Sequence, residues 1–475
     1  MTRPRIRKTK IIATIGPSCD SIETLMDMIR AGMNVARLNF SHGNHEEHHA
    51  RLEVIREAAK RLDANVATML DTKGPEIRTG RVEGGVAELV TGARFVLATD
   101  GRRGDAESVA VSYQGLPGEV KPGFKILLDD GSIELEVESV AGREICCRVT
   151  RGGRLVDHRG VNLPGTSLGI STMSVENQDD IRFAIEHGIV YIAASFVRSA
   201  RDVREIRELL EVHGAKIPII AKIENAEGVE RLEEIVAVSD GIMVARGDLG
   251  VEIPVQEVPM VQKKIIRATV MNGKPVITAT QMLETMRTHP TPTRAEVSDV
   301  ANAIFDGTSA VMLSGETAAG TYPVEAVRTM AALALQAEAS LQEYGHLQHI
   351  LPEPANLITE AVSQAAITMA DHLDAAAILA LTESGFTARS ISKYRPRCPI
   401  LGVTHQADVV RKFAMNWGVT GVLCSDEAKS DARIDQGIAR GRELGYLRSG
   451  DVVVVTTGVH RATGSTNMIR IVTLD

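Results

Sequence analysis

The chain has 475 residues, of which 44% are hydrophobic and 24% charged, and its formal net charge is −8. This length exceeds one ordinary core and predicts about two to four domains. No apolar run approaches the roughly 18 residues of a membrane span, and the mixed-sign charge argues against nucleic acid or an anionic membrane as the main partner. The apolar stretch behind the basic amino end is too short for a signal peptide, so we expect a cytoplasmic protein.

Short apolar, β-branched runs alternate with amphipathic helical patterns from Lys10 to Thr72 and again from Ser171 to Leu341. This alternation is typical of βα units and a parallel sheet. Eight such runs are present: IIATI from Ile11, VARLNF from Val35, VATMLD from Val66, YIAASF from Tyr191, IPIIAKIE from Ile217, GIMVAR from Gly241, PVITAT from Pro275 and AVMLS from Ala310. Eight strands with crossover helices predict an α/β protein built on a (βα)8 TIM barrel.

Polar side chains follow six of the eight predicted strands. They are Arg37 and Asn39, Asp71 and Thr72, Lys222 and Glu224, Arg246 and Asp248, Thr280, and Ser314 and Glu316. Barrels of this type carry their chemistry at the carboxyl ends of the strands. Any one of these residues could be an isolated cap, but their convergence favours an active site.

The stretch between the third and fourth strands breaks this rhythm. Residues 73–170 are rich in glycine and in alternating strand patterns, which predicts a small inserted antiparallel β domain over the barrel mouth. Such a domain is either a β-barrel lid that excludes water from the reaction or a passive insertion. The barrel itself is then predicted at residues 1–72 and 171–345.

A Pro-containing linker at Leu351 leads to a third segment, residues 346–475, with five further strand patterns. We predict a separate open α/β domain. Its first strand runs into the turn from Thr382 to Thr387, whose backbone N–H groups either hold a phosphate or merely cap the next helix. A similar turn at residues 463–467 adds little to the phosphate interpretation.

Lys222 and Glu224 are two positions apart on a strand and therefore share one face. A buried lysine needs a partner, and one common use is a fixed positive charge beside a developing anion. The carboxylates of Glu224 and Asp248 suggest a hard cation such as Mg²⁺. The alternative is a purely structural ion pair between Lys222 and Glu224.

Arg37 and Arg78 supply forked donors suited to phosphate oxygens, which favours phosphoryl transfer. No Walker or kinase glycine loop is present, and Ser41 and His42 lack a third partner for nucleophilic catalysis. The histidines at positions 42, 45, 48 and 49 are interpreted as the solvated face of a helix, with only His42 near the mouth. The five cysteines have no metal or disulfide spacing and are interpreted as packing residues.

Six long motifs resemble those of the pyruvate kinase family and occur in the family's order. They are NVARLNFSHG from Asn34, LDTKGPEIRTG from Leu70, IAKIENAEG from Ile220, MVARGDLG from Met243, TATQML from Thr278 and MLSGET from Met312. The resemblance covers essentially the whole chain. It implies a barrel A domain, a mobile β lid, a C-terminal α/β domain, and phosphoryl transfer from phosphoenolpyruvate to ADP, the final step of glycolysis.

The resemblance also implies site residues. Glu224 and Asp248 would bind Mg²⁺ or Mn²⁺, and Lys222 would neutralise charge on the enolate. The K⁺ site would comprise Asn39, Ser41, Asp71 and Thr72, with Glu76 of the type found in potassium-requiring members. The nucleotide would lie near Pro17, Arg37, Asn39, His42, Arg78 and Arg159, and the substrate carboxylate near Gly247, Asp248 and Thr280. Thr280, Ser314 and Glu316 would form a water relay that protonates the enolate.

Two departures from the family pattern concern the lid and the effector turn. His158 and Arg159 stand where many members have lysines, so the contact of Arg159 with nucleotide is an expectation only. Effector contacts are expected at Thr382, Ser384, Gly385 and Thr387. Glu383 beside them disfavours a doubly phosphorylated sugar and favours another sugar phosphate, a nucleotide monophosphate or no effector.

The family also implies a homotetramer, and a chain ending at Asp475 is expected to lack the extra C-terminal domain of some bacterial members. A magnesium-dependent barrel aldolase or mutase acting on pyruvate or phosphoenolpyruvate is the nearest alternative enzyme. Arg37, Arg78 and the β lid argue against it. A catalytically silent, metabolite-sensing protein is the other alternative, and the intact Lys222, Glu224 and Asp248 argue against that.

Overall fold

The computed structural model describes residues 5–166, 169–170, 172–345, 356–426, 430–458 and 466–475. Its first βα units alternate as the sequence patterns predict. They comprise β1 (Lys10–Thr14), α1 (Ile22–Ala31), β2 (Val35–Asn39), α2 (His45–Arg61) and β3 (Ala67–Asp71). Helix α1 begins where the Ser21 side chain accepts the amide hydrogen of Thr24, and it ends at Gly32, whose φ of 121° suits only glycine.

The inserted domain follows β3. Its elements are β4 (Val86–Leu89), β5 (Arg94–Ala98), β6 (Ser108–Ala110), α3 (Leu116–Glu119), β7 (Lys125–Leu128), β8 (Ile133–Ala141), β9 (Glu144–Arg151), β10 (Gly153–Val156) and β11 (Val161–Asn162). Six strands form a sheet in the order β11-β7-β8-β9-β5-β6, and β10 pairs with β4. The antiparallel prediction holds except for β5 and β6, which pair in parallel because the intervening chain crosses back before β6.

The second part of the barrel then completes the closed sheet. Its elements are α4 (Val175–Glu186), β12 (Tyr191–Ala194), α5 (Ala200–Val212), β13 (Ile219–Ile223), α6 (Ala226–Glu230), α7 (Leu232–Val238), β14 (Gly241–Ala245), α8 (Arg246–Glu252), α9 (Val258–Met271), β15 (Val276–Ala279), α10 (Arg294–Asp306), β16 (Ala310–Leu313), α11 (Gly315–Ala318), α12 (Pro323–Ala339) and α13 (Leu341–Tyr344). Eight parallel strands close in the order β1-β16-β15-β14-β13-β12-β3-β2, which confirms the TIM-barrel prediction.

The third segment is an open α/β sheet, as predicted. It comprises α14 (Leu357–His372), β17 (Ala377–Leu381), α15 (Phe386–Lys393), β18 (Ile400–Thr404), α16 (Ala407–Lys412), β19 (Val419–Leu423), α17 (Ser430–Glu443), β20 (Val452–Gly458) and β21 (Thr466–Thr473). The strand order is β19-β18-β17-β20-β21, with only β21 antiparallel. Ala414 and Met415 pack into the same hydrophobic cluster as Ile12 and Ile277, so this domain lies against the amino end of the barrel.

Two segments join the inserted domain to the barrel, and they are hydrogen-bonded to each other. The amide of Thr79 donates to the carbonyl oxygen of Arg159, and the amide of Val161 donates to that of Ile77, each at 2.8 Å. The first segment leaves the barrel through Gly74, where φ is 74° and a Cβ would lie 2.6 Å from the ring of Phe196. Only glycine fits this close approach.

The domain boundaries at residues 72, 170 and 345 stay predictions. The linker residues 351–355 and the turn residues 463–465 lie outside the described ranges. All five cysteines are buried and unbonded, which confirms their interpretation as packing residues. Among the described residues, no helix is both long and apolar enough to cross a lipid bilayer.

Candidate active site

Lys222 lies near the carboxyl end of β13, with its ammonium group directed at three oxygens. Nζ is 2.7 Å from Oγ of Ser195, 3.0 Å from Oδ1 of Asp71 and 2.9 Å from Oε1 of Glu224. The side chain of Asp71 accepts a further bond at 2.7 Å from Nε of Arg37. Side chains at or near the carboxyl ends of four neighbouring strands thus meet at one end of the barrel.

The contacts form a continuous series across the barrel mouth. Nη1 of Arg37 donates to Oγ1 of Thr14 at 2.9 Å, and Asp71 joins Arg37 to Lys222, which in turn meets Glu224. We call these five residues the mouth network. Because β1, β2, β3, β12 and β13 are consecutive in the closed sheet, the network spans more than half of the mouth.

The charges in the mouth network stabilise one another against burial. For Lys222, burial is the largest influence and lowers the pKa, but Asp71 and Glu224 outweigh it and raise the pKa above its ordinary value. For Asp71, burial raises the pKa, and Arg37 with Lys222 outweighs that to give a lowered pKa. Lys222 is therefore a fixed cation and Asp71 a fixed anion.

Glu224 differs from Asp71. Burial, together with the charge of Asp248, raises its pKa, although Lys222 and the amide of Phe196, 2.5 Å from Oε2, act in the opposite direction. The side chain of Asp248 accepts no hydrogen bond and makes no ion pair within the described part of the chain. Two mutually repelling carboxylates with a deficit of positive charge are the donor set expected for a hard divalent cation.

Ser195 was missing from the residues expected at the site. It directly follows β12 and accepts from Lys222 while its hydroxyl lies 3.2 Å from Asp71 and 2.6 Å from the carbonyl oxygen of Thr72. The strand pattern YIAASF absorbed it into the predicted strand. Polar residues that directly follow a strand are site candidates, and Ser195 would have been among them if the predicted strand had ended at Ala194.

Gly247 and Thr280 lie next to each other, as the predicted carboxylate site requires. The amide of Gly247 donates to Oγ1 of Thr280 at 2.9 Å. Thr280 has a φ of 66°, which is unfavourable for a β-branched residue. Arg246 holds it there, because its guanidinium donates to the carbonyl oxygen of Thr280 at 2.7 Å and is paired with Asp299 at 2.7 Å.

Glu316 is fully buried, and both of its carboxylate oxygens accept backbone hydrogens. Oε1 accepts from the amide of Leu283 at 3.1 Å and Oε2 from that of Ser314 at 2.7 Å. Burial raises the pKa of Glu316. The hydroxyl of Ser314 is buried without a partner, and no hydrogen bond among the described residues joins Thr280 to Ser314 or Glu316. In this structure Glu316 braces the loop, and the expected relay is not continuous.

The four residues of the expected K⁺ site occupy two adjacent strand ends. Asn39 is the direct cross-strand partner of Asp71, and Oδ1 of Asn39 accepts the amide of Ser41 at 3.3 Å. The carbonyl oxygen of Thr72 accepts from Ser195. All potential donors are oxygens, which suits a hard monovalent ion.

A cleft of about 460 Å³ lies between the inserted domain and the barrel, and Asp248, Arg78 and Arg159 line it. Arg78 is paired with Glu76 at 2.6 Å, and Arg159 with Asp129 at 3.2 Å. The inserted domain thus brings two arginines to the barrel mouth. Pro17 and His42 are exposed and do not line this cleft.

The interpretation of the four histidines as a solvated face is wrong for His48. Its side chain is 1% exposed and stacks on Phe40, with ring centroids 4.1 Å apart. Nε2 lies 2.9 Å from the carbonyl oxygen of His42. The helical pattern misled because Phe40, directly after β2, covers this position.

The expected effector turn leads into α15, and its acidic residue is neutralised. The amide of Gly385 donates to Oγ1 of Thr382 at 3.0 Å, and the hydroxyls of Thr387 and Thr466 lie 2.5 Å apart. Glu383 is paired with Arg433 at 2.9 Å and with His405 at 2.9 Å. The negative charge of Glu383 is therefore a weaker argument against phosphate than the sequence suggested.

Two family models match the chain. One, described as the barrel domain of pyruvate kinase, matches residues 6–327, and the other, the alpha/beta domain of pyruvate kinase, matches residues 360–472. The chain is 52% identical over 470 residues to a pyruvate kinase of Geobacillus stearothermophilus, covering 98% of this chain and 80% of that protein. It is 49% identical over 469 residues to the pyruvate kinase of Bacillus licheniformis, with the same coverage. A pyruvate kinase of Staphylococcus aureus is 49% identical over 473 residues.

Proposed function

The chain belongs to the pyruvate kinase family, and on this premise we propose how its barrel mouth transfers the phosphoryl group of phosphoenolpyruvate to ADP, giving pyruvate and ATP. The chain is accordingly a phosphotransferase. The observation that carries the proposal is the mouth network, which holds a fixed cation, Lys222, among buried carboxylates at 2.9 and 3.0 Å.

Lys222 acts where charge develops. As the bond between phosphorus and the enol oxygen breaks, phosphorus joins a terminal oxygen of ADP, and the enol oxygen keeps the electron pair as an enolate. A cation already fixed in place stabilises that negative charge more than it stabilises bound substrate, so it lowers the barrier. Arg37, held by Asp71, adds donors for phosphate oxygens.

The substrate carboxylate binds at the backbone of Gly247 and Asp248 and at the hydroxyl of Thr280. The 2.9 Å bond from the amide of Gly247 to the hydroxyl oxygen of Thr280 supports this proposal, because it places the two groups next to each other, and a bound carboxylate would accept the hydrogens that they now direct at Thr280 and at the carbonyl oxygen of Ala279. Thr280 also lies where the enolate takes its proton. The unpartnered hydroxyl of Ser314 would be a protein member of a water relay, and Glu316 positions Ser314 by accepting its amide hydrogen.

Glu224 and Asp248 would hold Mg²⁺ or Mn²⁺, and their mutual repulsion, together with the absence of an ion pair at Asp248 among the described residues, supports this fit. When bound, such an ion supplies positive charge to phosphoryl and enol oxygens. Asn39, Ser41, Asp71 and Thr72 would hold K⁺, supported by their all-oxygen donor set. Both cations are proposals for this chain.

The nucleotide would occupy the cleft under the inserted domain, where Arg78 and Arg159 face the barrel. The nucleotide would extend beyond this cleft to meet the other proposed contacts, which do not line the cleft: Arg37, Asn39, Pro17 and His42. Both arginines lie on the segments that join the two domains. Closure of the lid would therefore bring positive charge to the nucleotide phosphates and exclude water in the same movement.

A phosphorylated effector would bind at the turn formed by Thr382, Ser384, Gly385 and Thr387. The neutralised Glu383 supports binding of a phosphate there. We also propose a homotetramer and a cytoplasmic location, as the family resemblance implies.

The deciding experiment is a coupled assay of pyruvate formation from phosphoenolpyruvate and ADP. We expect turnover that requires Mg²⁺ or Mn²⁺ and is raised by K⁺. Turnover with Mg²⁺ but without any response to K⁺ would contradict the proposed monovalent site alone. Absence of pyruvate formation under all conditions would contradict the proposed reaction.

A further inference from the structure

One hydrogen bond joins the inserted domain directly to the barrel. Nδ2 of Asn162, in β11, donates to Oε1 of Glu252, the last residue of α8, at 3.1 Å. Within the described parts of the chain, no other hydrogen bond or ion pair links residues 79–163 to the barrel. This bond is thus the polar contact that fixes the inserted domain against the barrel. We call Asn162 and Glu252 the latch pair.

The turn at residues 129–131 packs against the same helix. A Cβ placed on Gly131 would lie 3.9 Å from Cγ1 of Val251 in α8. This turn follows β7, and β7 pairs with β11 so that Leu127 lies opposite Asn162. The turn and Asn162 therefore meet the carboxyl-terminal end of α8 side by side, and the contact has both an apolar and a polar part.

Helix α8 connects this contact to the proposed substrate site. Gly247 and Asp248 stand in its first turn and Glu252 ends it, so roughly 6 to 8 Å of helix axis separates the two ends. The helix is held at its first residue, Arg246, by an ion pair at 2.7 Å, and Leu249 in its middle is fully buried. Because closely packed elements transmit displacements, a contact that fixes Glu252 also fixes the amide of Gly247.

The carboxylate of Glu252 is stabilised by the amide group that the inserted domain supplies. Burial raises the pKa of Glu252 and Asp248 raises it further, whereas the hydrogen bond from Asn162 lowers it. A buried carboxylate is unfavourable unless polar groups bond to it, and a hydrogen bond to a charged acceptor is stronger than a neutral one. When the inserted domain swings away, Glu252 returns to water. The bond is therefore specific to the closed position.

We propose that the latch pair holds the inserted domain in its closed position and, through α8, aligns Gly247 and Asp248 for the substrate. Asn162 and Glu252 are positioning residues, since they act through the helix and the lid. The kinetic consequence rests on the proposed function, because the nucleotide is placed in the cleft that the latch pair closes.

Exchange of the donor and the acceptor tests the latch pair. Asn162→Asp places two carboxylates opposite each other and should open the inserted domain. Glu252→Gln retains an acceptor oxygen and should have a weaker effect. In the double variant Asn162→Asp/Glu252→Gln the new amide donates to the new carboxylate, so the bond forms in the reverse direction and should restore closure.

The position of the inserted domain is measured on the full-length protein without substrate, by double electron–electron resonance between two spin labels. The labels are attached to cysteines introduced by Val90→Cys in the inserted domain and Val212→Cys in the barrel. These side chains are 64% and 82% exposed, and all five native cysteines are buried, so labelling is directed to the new sites. We expect a longer mean distance in Asn162→Asp and the wild-type distance in the double variant.

Steady-state kinetics gives a second readout. The kcat/KM for ADP should fall at least about tenfold in Asn162→Asp, because fewer molecules are closed, and should recover to within about threefold of wild type in the double variant. Glu138→Gln is the matched control. This carboxylate is paired with Arg148 inside the inserted domain, and its loss should leave the label distance and kcat/KM unchanged.

An unchanged label distance in Asn162→Asp would overturn the latch. A double variant as open as Asn162→Asp would also overturn it, since damage that the reversed bond does not repair is only structural. Changed distances with an unchanged kcat/KM for ADP would overturn the positioning role. If the wild-type protein formed no pyruvate while the label distances changed as expected, the proposed function would be wrong and the latch itself would stand.

Discussion

Oγ of Ser195 lies 2.7 Å from Nζ of Lys222, and the same hydroxyl is bonded to the carbonyl oxygen of Thr72. Ser195 follows β12, which is the neighbour of β13 in the barrel, and it therefore orients the ammonium group of Lys222 from the adjacent strand. A lysine held by two carboxylates and one hydroxyl has a defined direction, which a catalytic cation needs if it is to meet the enolate.

Replacing Ser195 with alanine should lower kcat about tenfold, since one positioning hydrogen bond of roughly 1 to 1.5 kcal/mol is lost in the transition state. The KM for phosphoenolpyruvate should change less than kcat, which steady-state kinetics will measure. Ser239→Ala is the matched control, because among the described residues that buried hydroxyl bonds only to the carbonyl oxygen of Ile235 in the preceding helix. Equal losses in the two variants would show that Ser195 has only a structural role.

Lys222→Met should retain the fold by circular dichroism and lose turnover by about a thousandfold, because the main fixed positive charge at the enolate is removed. Lys393→Met is the matched control. Lys393 is also buried and paired with a glutamate, Glu360, but lies in the C-terminal domain. The control should lower the thermal midpoint and retain most of kcat. Near-normal ATP formation by Lys222→Met would end the assignment of this lysine.

Arg246→Lys should raise the KM for phosphoenolpyruvate about tenfold, with a smaller effect on stability. A lysine cannot bond Thr280 and Asp299 in the forked manner of arginine, so Thr280 would relax from its positive φ and move its hydroxyl away from Gly247. Arg207→Lys is a control, because Arg207 bonds Asp240 at the other end of the barrel. An unchanged KM in Arg246→Lys would contradict a positioning role.

His48 should make the protein less stable in mild acid. Burial lowers the pKa of His48 to about 4, so between that pH and the ordinary value near 6.5 the unfolded chain binds the extra proton. Stability therefore rises with pH through this window, and the His48 contribution falls by about 2 kcal/mol from pH 7 to pH 5. In His48→Gln the unfolding midpoint should depend less steeply on pH over that range. The exposed His49→Gln should keep the wild-type slope, and a wild-type slope in His48→Gln would contradict the prediction.

The alternation of buried strands and amphipathic helices was enough to predict the barrel, because parallel strands are apolar throughout and their helices are not. The one wrong strand direction, at β5 and β6, depends on how a loop crosses back, and local pattern does not encode that path. Between β13 and β14 the chain forms two short helices, α6 and α7, that meet at Arg231. Such breaks depend on packing against neighbouring helices.

Four of the five residues of the mouth network were predictable, because they stand at or near the carboxyl ends of predicted strands; Thr14 was not expected. Outside the network, Ser195 was missed because the predicted strand was ended too late, and the burial of His48 was missed because it depends on contact with Phe40. The bracing role of Glu316 depends on backbone amides of two separate loops, Leu283 and Ser314, which no linear pattern reveals. Nζ of Lys412 in the C-terminal domain donates to the carbonyl oxygen of Lys216 in the barrel, and this contact follows only from the docking of the two domains.

The pairing of the two segments beneath the inserted domain has a kinetic consequence. Thr79 is bonded to Arg159, and Val161 to Ile77, so in the proposed opening and closing of the lid the two connecting segments would move as one unit. Arg78 and Arg159 would then leave the cleft together and return together. Nucleotide dissociation should then follow a single exponential whose rate is set by one hinge, because no intermediate exists in which only one arginine has let go.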